Sequence, residues 1–494
     1  MISSSNVEIK FMEHNNWFND HEFQQLLDRV THSRPFRGNS ASLLINGAAS
    51  FKQRKENIKN ADVIFLKSFE FHNDETGNNL VALLTKKARQ GAKIFIQIDV
   101  YGFFETYREL NAILKGKLSP IPPFIQQIAN NAPDNVFIIP TNVPTRKINL
   151  IYGYRFPKDH EKYLLTWKTA PEIEPVKVIM GGLNIGDQYA FPGTFDTEGK
   201  PRTIPAYIKK GAIPGEKKSY GLRDTDLETI GPANYEIVKE FIRAVKFHVN
   251  NQNPYFKKNL LPGVKAAIVE LDRIYEQMQK DSKITFPVCG DAYIRFIATP
   301  PHQKGNYLPI AMLIEAVIKR LPPNAHVRVS TAFFLPTKKI QKALLGAIEK
   351  GISFDFIINN EDVSEGDIRT VTFATNSRAR HLLSYYPGKK LQFYRYLGDR
   401  NLGIGGLHQK AFSIGQNLDD PFFITSSNFD ASSFNWNSEG GLLIQSPKLK
   451  KQFDEMLEED LIYSKLLTLE ELKNRKWSDK LYGYFLDTVL WPLL

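Results

Sequence analysis

One cysteine, Cys289, serves the whole chain, so no intramolecular disulfide can form and the fold does not depend on an oxidising compartment. A lone thiol of this kind is expected to be inert and buried. Long apolar runs are missing too. Nowhere do about 18 apolar residues follow one another, and the opening "MISSSNVEIKFMEHNNWFND" has no apolar core behind a basic start. Neither a membrane-spanning helix nor an export leader is therefore expected. His, Asp and Cys do not cluster at metal-ligand spacing, so no metal site and no cofactor is expected either. These absences describe a cytoplasmic protein that meets any lipid peripherally, from the water side. Delivery elsewhere by a non-classical route would leave no mark in the sequence.

What is present is ordinary globular material. With 494 residues, 42% of them hydrophobic, the chain can bury sizeable cores in two or three domains. Lys and Arg outnumber Asp and Glu by 64 to 53, a net +11 that favours anionic partners such as an acidic phospholipid surface or nucleic acid, or that serves solubility alone. Residues 1–40 are polar apart from "NWFNDHEFQQLLDRV", where Phe23, Leu26, Leu27 and Val30 fall at helical spacing. A strand, helix, strand rhythm then runs through an apolar strand from Ala61 to Phe71, a helix ending at Gly91 and a buried strand from Lys93 to Asp99. The same rhythm returns after residue 300.

Chemistry enters with a repeated pair. His408 and Lys410 lie two apart, so on a strand they share a face and present an imidazole beside an ammonium, which suits a phosphate group. Downstream come Ser426 and Asn428, able to hydrogen-bond phosphate oxygens, then Asn437 and Glu439, whose carboxylate can hold an imidazole in one tautomer. The pair His160 and Lys162 is followed likewise by Gly181, Gly182 and Asn184. Pairing Ala61 with Ala325, Gly91 with Gly351, His160 with His408 and Asn184 with Asn428 gives offsets of 264, 260, 248 and 244. Collinear landmarks with steadily falling offsets are what duplication of one α/β unit leaves. The organisation read from this is an extension (1–40), a first unit (41–255), a helical connector (256–285), and a second unit with a C-terminal tail (286–494). Each unit carries one His-x-Lys, so the units must pack with the two motifs converging at their interface.

The duplicated His-x-Lys, with "TSSNFDASSFNWNSE" after the second copy, "GGLNIGDQY" after the first and "RDTDLETIGPAN" between them, resembles the phospholipase D superfamily. The likeness is strongest to its bacterial cardiolipin synthase-type and phosphatidyltransferase members, and it runs from about Leu43 to the C-terminus. The chain departs from that pattern. The family motif continues to an Asp five residues after each Lys, where this chain has Trp167 and Gly415, and Leu222 and Asp226 stand where relatives often have Trp and His. The resemblance implies an α/β fold of two packed phospholipase D-like sandwich units and a metal-free, two-step reaction. One imidazole attacks the phosphodiester and the other protonates the leaving alcohol. The phosphohistidine then passes to water or an alcohol. It further implies catalytic roles for His160, Lys162, His408, Lys410, Asn184, Asn428 and Glu439, with His160 the usual nucleophile, and phosphate or substrate binding by Gly182, Asp187, Ser426 and Asn437. The expected substrate is a phospholipid; the alternative from the same chemistry is a metal-independent nuclease. The basic loop holding Lys200, Arg202, Lys209, Lys210, Lys217 and Lys218, and the tail with Trp477, Tyr484, Phe485 and Trp491, are candidates for headgroup and interface contact, or for a solvated loop and a packed end.

Overall fold

A computed structural model describes residues 17–104, 107–145, 147, 157–190, 221–250, 261–300, 308–360, 366–386, 388, 390–399 and 404–490. The basic loop at 200–220 and Trp491 lie outside these residues. The first half contributes strands β1 (Phe36–Ile45), β2 (Val63–Ser68), β3 (Lys93–Asp99), β4 (Val136–Thr141), β5 (Tyr163–Trp167), β6 (Lys177–Gly181), β7 (Gly221–Arg223) and β8 (Thr225–Ile230). The second contributes β9 (Ala292–Thr299), β10 (His326–Thr331), β11 (Phe334–Leu335), β12 (Ser353–Ile358), β13 (Leu391–Tyr396), β14 (Ile404–Leu407), β15 (Lys410–Ile414), β16 (Phe422–Thr425), β17 (Phe429–Asp430), β18 (Glu439–Gln445) and β19 (Ser464–Leu466).

Fifteen of these form one sheet in the order β19-β13-β12-β10-β15-β16-β18-β9-β1-β8-β6-β5-β2-β3-β4. Read outward from the β1–β9 seam, the two halves give the same order: β1-β8-β6-β5-β2-β3-β4 matches β9-β18-β16-β15-β10-β12-β13, with β19 added at one edge. The duplication is thus a topological fact, and the units share a continuous sheet instead of standing as separate sandwiches. At the seam Phe36 lies opposite Ile294 and Asn39 opposite Ala292, antiparallel, with an irregularity between. Asn39 is buried and its Nδ2 donates to the Ala292 carbonyl at 3.2 Å, fixing the register.

The parallel strands are β2, β3, β4 and β10, β12, β13, and they read as near-continuous apolar runs because both faces are covered. Alternation divides them: Val63 and Phe65 of β2 enter a core that spans both halves, whereas Ile64 and Leu66 enter one belonging to the first half. Helices Asn234–Asn250, Leu261–Lys280 and Pro447–Ile462 lie over the shared core, so the expected connector is packed against the body. Helix His21–Thr31 starts at Asp20, whose side chain accepts from the Phe23 N–H, and buries Phe23 and Leu27 in the second half's core. Helices Glu75–Arg89 and Lys338–Glu349 are both followed by a glycine at φ +97°, Gly91 and Gly351, a left-handed turn that suits glycine at equivalent places of the repeat.

Two expectations change. The strand read from Ala61 to Phe71 ends at Ser68, where the chain turns out of the sheet, and Phe71 forms an isolated parallel bridge to Ile185. Cys289, expected buried, is exposed: it sits in the turn entering β9, its N–H bonded to the Gly38 carbonyl at 2.9 Å. Phe65 is fully buried, stacked on Phe241 at 4.7 Å and edge-on to Phe95 at 5.2 Å. Phe65→Ala is expected to cost about 3–5 kcal/mol. Denaturant unfolding checks this; a loss under about 1 kcal/mol would mean that the shared core collapses into the gap.

Candidate active site

The carboxyl ends of the parallel strands are where an α/β sheet presents ligands, and both His-x-Lys pairs lie there. His160 precedes β5, whose Tyr163 is opposite Lys67 near the end of β2; Lys410 opens β15 opposite Thr331 at the end of β10. Each histidine is tied to the other half through backbone and side chain together. The His160 N–H donates to the Ser438 carbonyl at 2.9 Å and its Nδ1 lies 3.1 Å from Glu439. The His408 N–H donates to the Arg223 carbonyl at 2.8 Å and its Nδ1 lies 2.6 Å from Asp224. Short parallel pairings carry both exchanges, Asp159 with Ser438 and β7 with β14. The strands' exits are held alike: Asp99 accepts from the Asp159 N–H at 2.6 Å, and Asn359, its counterpart, from the Leu407 N–H at 2.7 Å.

With a carboxylate at Nδ1 the proton sits on that nitrogen, which leaves the Nε2 lone pair free. Both Nε2 atoms are without a partner among the described residues, and both side chains are nearly buried. Burial first, and then the nearby lysines, hold both imidazoles well below the ordinary 6.5; each is lowered by Lys162 and by Lys410, so the two pairs share one site. Lys162 Nζ donates to the His160 carbonyl at 2.7 Å, and Lys410 Nζ donates to the His408 carbonyl. Burial pulls Lys162 down to about 7 and Lys410 to about 8, against the pull of Glu439 and Asp224 respectively. Asp224 is pushed up to about 6 by burial.

The remaining residues singled out in the sequence divide. Ser426 Oγ donates to Glu439 at 2.5 Å and Asn437 Nδ2 lies 3.4 Å from the same carboxylate, so both brace the acid that holds His160. Asn428 is buried with its Oδ1 unpartnered among the described residues. Asn184 is engaged with Glu70 and with the Tyr189 hydroxyl at 3.0 Å. A Cβ on Gly182 would come within 2.3 Å of Asp224, so glycine there makes room for the acid that holds His408. Asp187 accepts from the Thr76 N–H at 2.8 Å and the Thr76 hydroxyl at 2.6 Å, at the start of helix Glu75–Arg89. Trp167 and Gly415 fall at the ends of β5 and β15 away from the histidines, Trp167 in the shared core and Gly415 in a turn at φ +78° beside Asp420. These two motif departures therefore lie away from the histidines.

Sequence reasoning missed Asp224, though it lies in the quoted segment beside Arg223; its role follows once Glu439 is given a counterpart in the first half. Lys67 was missed too. Fully buried, it meets Asp159 at 2.9 Å and also Glu161, the residue between His160 and Lys162. In the second half the same positions are Ser330 and Gln409, joined by a 2.8 Å hydrogen bond. One motif rests on an ionic layer and the other on a neutral one. Among the described residues no group of three or more His, Cys, Asp and Glu is placed to hold a metal.

Fold and site together define a duplicated α/β protein in which each copy supplies one His-x-Lys pair to a shared centre. A family model described as "Cardiolipin synthase, PLD-like domain" matches residues 322–461. The cardiolipin synthase of Listeria monocytogenes serotype 4a (strain HCC23) is 22% identical over 446 residues, covering 87% of this chain and 71% of that protein. The major cardiolipin synthase of Bacillus subtilis (strain 168) is 22% identical over 481 residues, covering 95% and 79%. The solved phosphatidylserine synthase of Haemophilus influenzae Rd KW20 has the same fold, with TM-score 0.61, 14% identity, and coverage of 96% of this chain and 100% of that one. The chain is thus similar to cardiolipin synthases over most of its length, and a PLD-like domain model matches its second half.

A folded imidazole held below its unfolded value adds stability above that value and loses it as the pH falls through about 6.5. Nitrogen-15 spectra of His160 and His408 are expected to show neutral, Nδ1-protonated rings without titration from pH 8 down to about 6. A ring titrating near pH 6.5 or above would refute the buried, carboxylate-held geometry.

Proposed function

We propose that this protein is a phospholipase D-type phosphatidyltransferase, taking a phospholipid as donor and an alcohol or water as acceptor through a covalent phosphohistidine. The observation that carries this reading is the reciprocal pairing of two His-x-Lys motifs in a chain similar to cardiolipin synthases over most of its length. One imidazole attacks phosphorus through Nε2, and a P–N bond forms as the P–O bond to the leaving alcohol breaks. The other imidazole, which takes up a proton from solvent as the anionic phosphodiester binds, gives that oxygen its proton. It then takes a proton from water or the second alcohol, whose oxygen forms a new P–O bond as the P–N bond breaks. Lys162 and Lys410, with Asn428, stabilise the equatorial oxygens, and the bound phosphodiester returns to the buried lysines the counter-charge that keeps them protonated. These side chains supply the whole sequence of steps, so turnover should persist in EDTA.

Lipid substrates lie in a bilayer, and no helix among the described residues is long and apolar enough to cross one. We assign peripheral docking on an anionic, cytoplasmic-side membrane surface to helix Trp477–Phe485. Its Gly483 lies against the Phe373 carbonyl while Trp477, Leu481, Tyr482, Tyr484 and Phe485 are exposed, beside Lys473 and Lys476. Aromatic rings and flanking cations suit the headgroup boundary.

Mixed phosphatidylglycerol and phosphatidylethanolamine vesicles, incubated with protein in EDTA and read by mass spectrometry, test the chemistry. Cardiolipin or an exchanged headgroup is expected, with a fall of about a thousandfold or more in His408→Ala; no lipid change with cleavage of single-stranded DNA would establish the nuclease instead. In sedimentation with anionic vesicles, Trp477→Ser combined with Phe485→Ser should weaken binding about tenfold. Unaltered binding would place the docking surface elsewhere.

A further inference from the structure

The two copies differ at the lip of the site. Where β2 ends, residues 70–72 are clamped to the loop after β6: Glu70 N–H donates to Asn184 Oδ1 at 3.2 Å, the Ile185 N–H to the Glu70 carbonyl at 3.1 Å, and the His72 N–H to the Ile185 carbonyl at 2.8 Å. The Glu70 side chain is held through one oxygen. Its Oε2 lies 2.6 Å from the Tyr189 hydroxyl, 3.3 Å from Asn184 Nδ2 and 3.2 Å from His72 Nε2. Its Oε1 has no partner among the described residues, and the side chain is 26% exposed. This carboxylate stands over the reacting groups: Tyr189 meets the His408 ring edge-on at 5.1 Å, and the charge of Glu70 acts on His160, His408, Lys162 and Lys410 alike.

The repeat gives the corresponding residue of the other lip. Phe71 bridges Ile185 as Phe334 pairs with Phe429, so Glu70 corresponds to Phe333, which is half-buried. One lip offers an ionised acceptor and the other an aromatic ring. Glu70 stays ionised because, although burial pushes it up, the hydrogen bonds and charge around it, His72 foremost, hold it at about 2. A fixed anion cannot bind the phosphate's own oxygens. It can accept from a hydroxyl, or pair with an ammonium, on an alcohol waiting beside the phosphorus.

Resting on the phosphatidyltransferase reading, we infer that Glu70, positioned by Tyr189, Asn184 and His72, binds the incoming alcohol and so sets whether the phosphatidyl group passes to an alcohol or to water. The ligand class is a short alcohol bearing a second hydrogen-bond donor, either a polyol such as glycerol or an amino alcohol such as ethanolamine. Loss of a hydrogen bond to a charged acceptor is expected to change the partition about tenfold.

The experiment measures transfer product over phosphatidic acid with phosphatidylglycerol vesicles and added isotopically labelled glycerol or ethanolamine, for wild type, Glu70→Gln, Tyr189→Phe and Glu70→Phe, which copies the other lip. Glu70→Gln should lower the ratio about tenfold and raise the KM for the alcohol, more for ethanolamine than for glycerol if the ammonium is the natural partner. Tyr189→Phe, which keeps the ring, should lower it less, and Glu70→Phe at least as much as Glu70→Gln. Wild-type turnover with an unchanged ratio in the Glu70 variants, whatever their total rate, would overturn this inference alone. Wild-type protein that releases no product from any lipid would overturn the phosphatidyltransferase reading with it.

Discussion

Everything at the centre of this protein depends on an exchange of acids between its halves. Glu439 of the second half holds His160 of the first, and Asp224 of the first holds His408 of the second. The contacts are more than side-chain affairs, because each histidine's backbone N–H is bonded to the carbonyl just before its acid. Fixing one imidazole therefore fixes the strand that carries the opposite acid. Orientation of this kind keeps a catalytic group within the narrow tolerance that reaction geometry demands.

The sheet makes that exchange possible. Its seam joins β1 to β9 and turns the same seven-strand order outward on both sides, so the carboxyl ends of β2 and β10 face one centre. The central core adds a second tie. The helix Pro447–Ile462, late in the chain, packs in the same core as β2 and β3, and its Asp460 accepts from buried Arg223 at 2.7 Å, next to Asp224. The ionic layer of Lys67 under the first motif and the neutral Ser330–Gln409 pair under the second are two ways of satisfying the same buried positions. Changing one member of either pair alone would strand a polar group in the interior.

Much of this was legible beforehand. Apolar runs marked β2 and β3, Gly91 and Gly351 marked matching helix ends, and the recurrence of His-x-Lys required a shared centre. Asp224 escaped because its partner is 184 residues away in the other copy, and sequence spacing reports only neighbours within a unit. Glu70 escaped because it lies in a stretch that reads as one apolar strand, whereas the chain leaves the sheet at Ser68. Asp187, Gly182 and Ser426 were legible as polar or small loop positions after the motifs, but not their contacts with a helix start and with the acids at the histidines, which are made across the fold. Polarity and position in a motif do not distinguish a ligand from a support.

The seam has one more consequence. Residues on β1 meet residues on β9, and acids cross in both directions, which is the pattern of an isologous contact between identical partners. A single copy of this unit does not hold its own imidazole with its own acid, so both copies are needed to complete the centre. The two lips need not be identical within one chain, and Glu70 on one with Phe333 on the other is that difference.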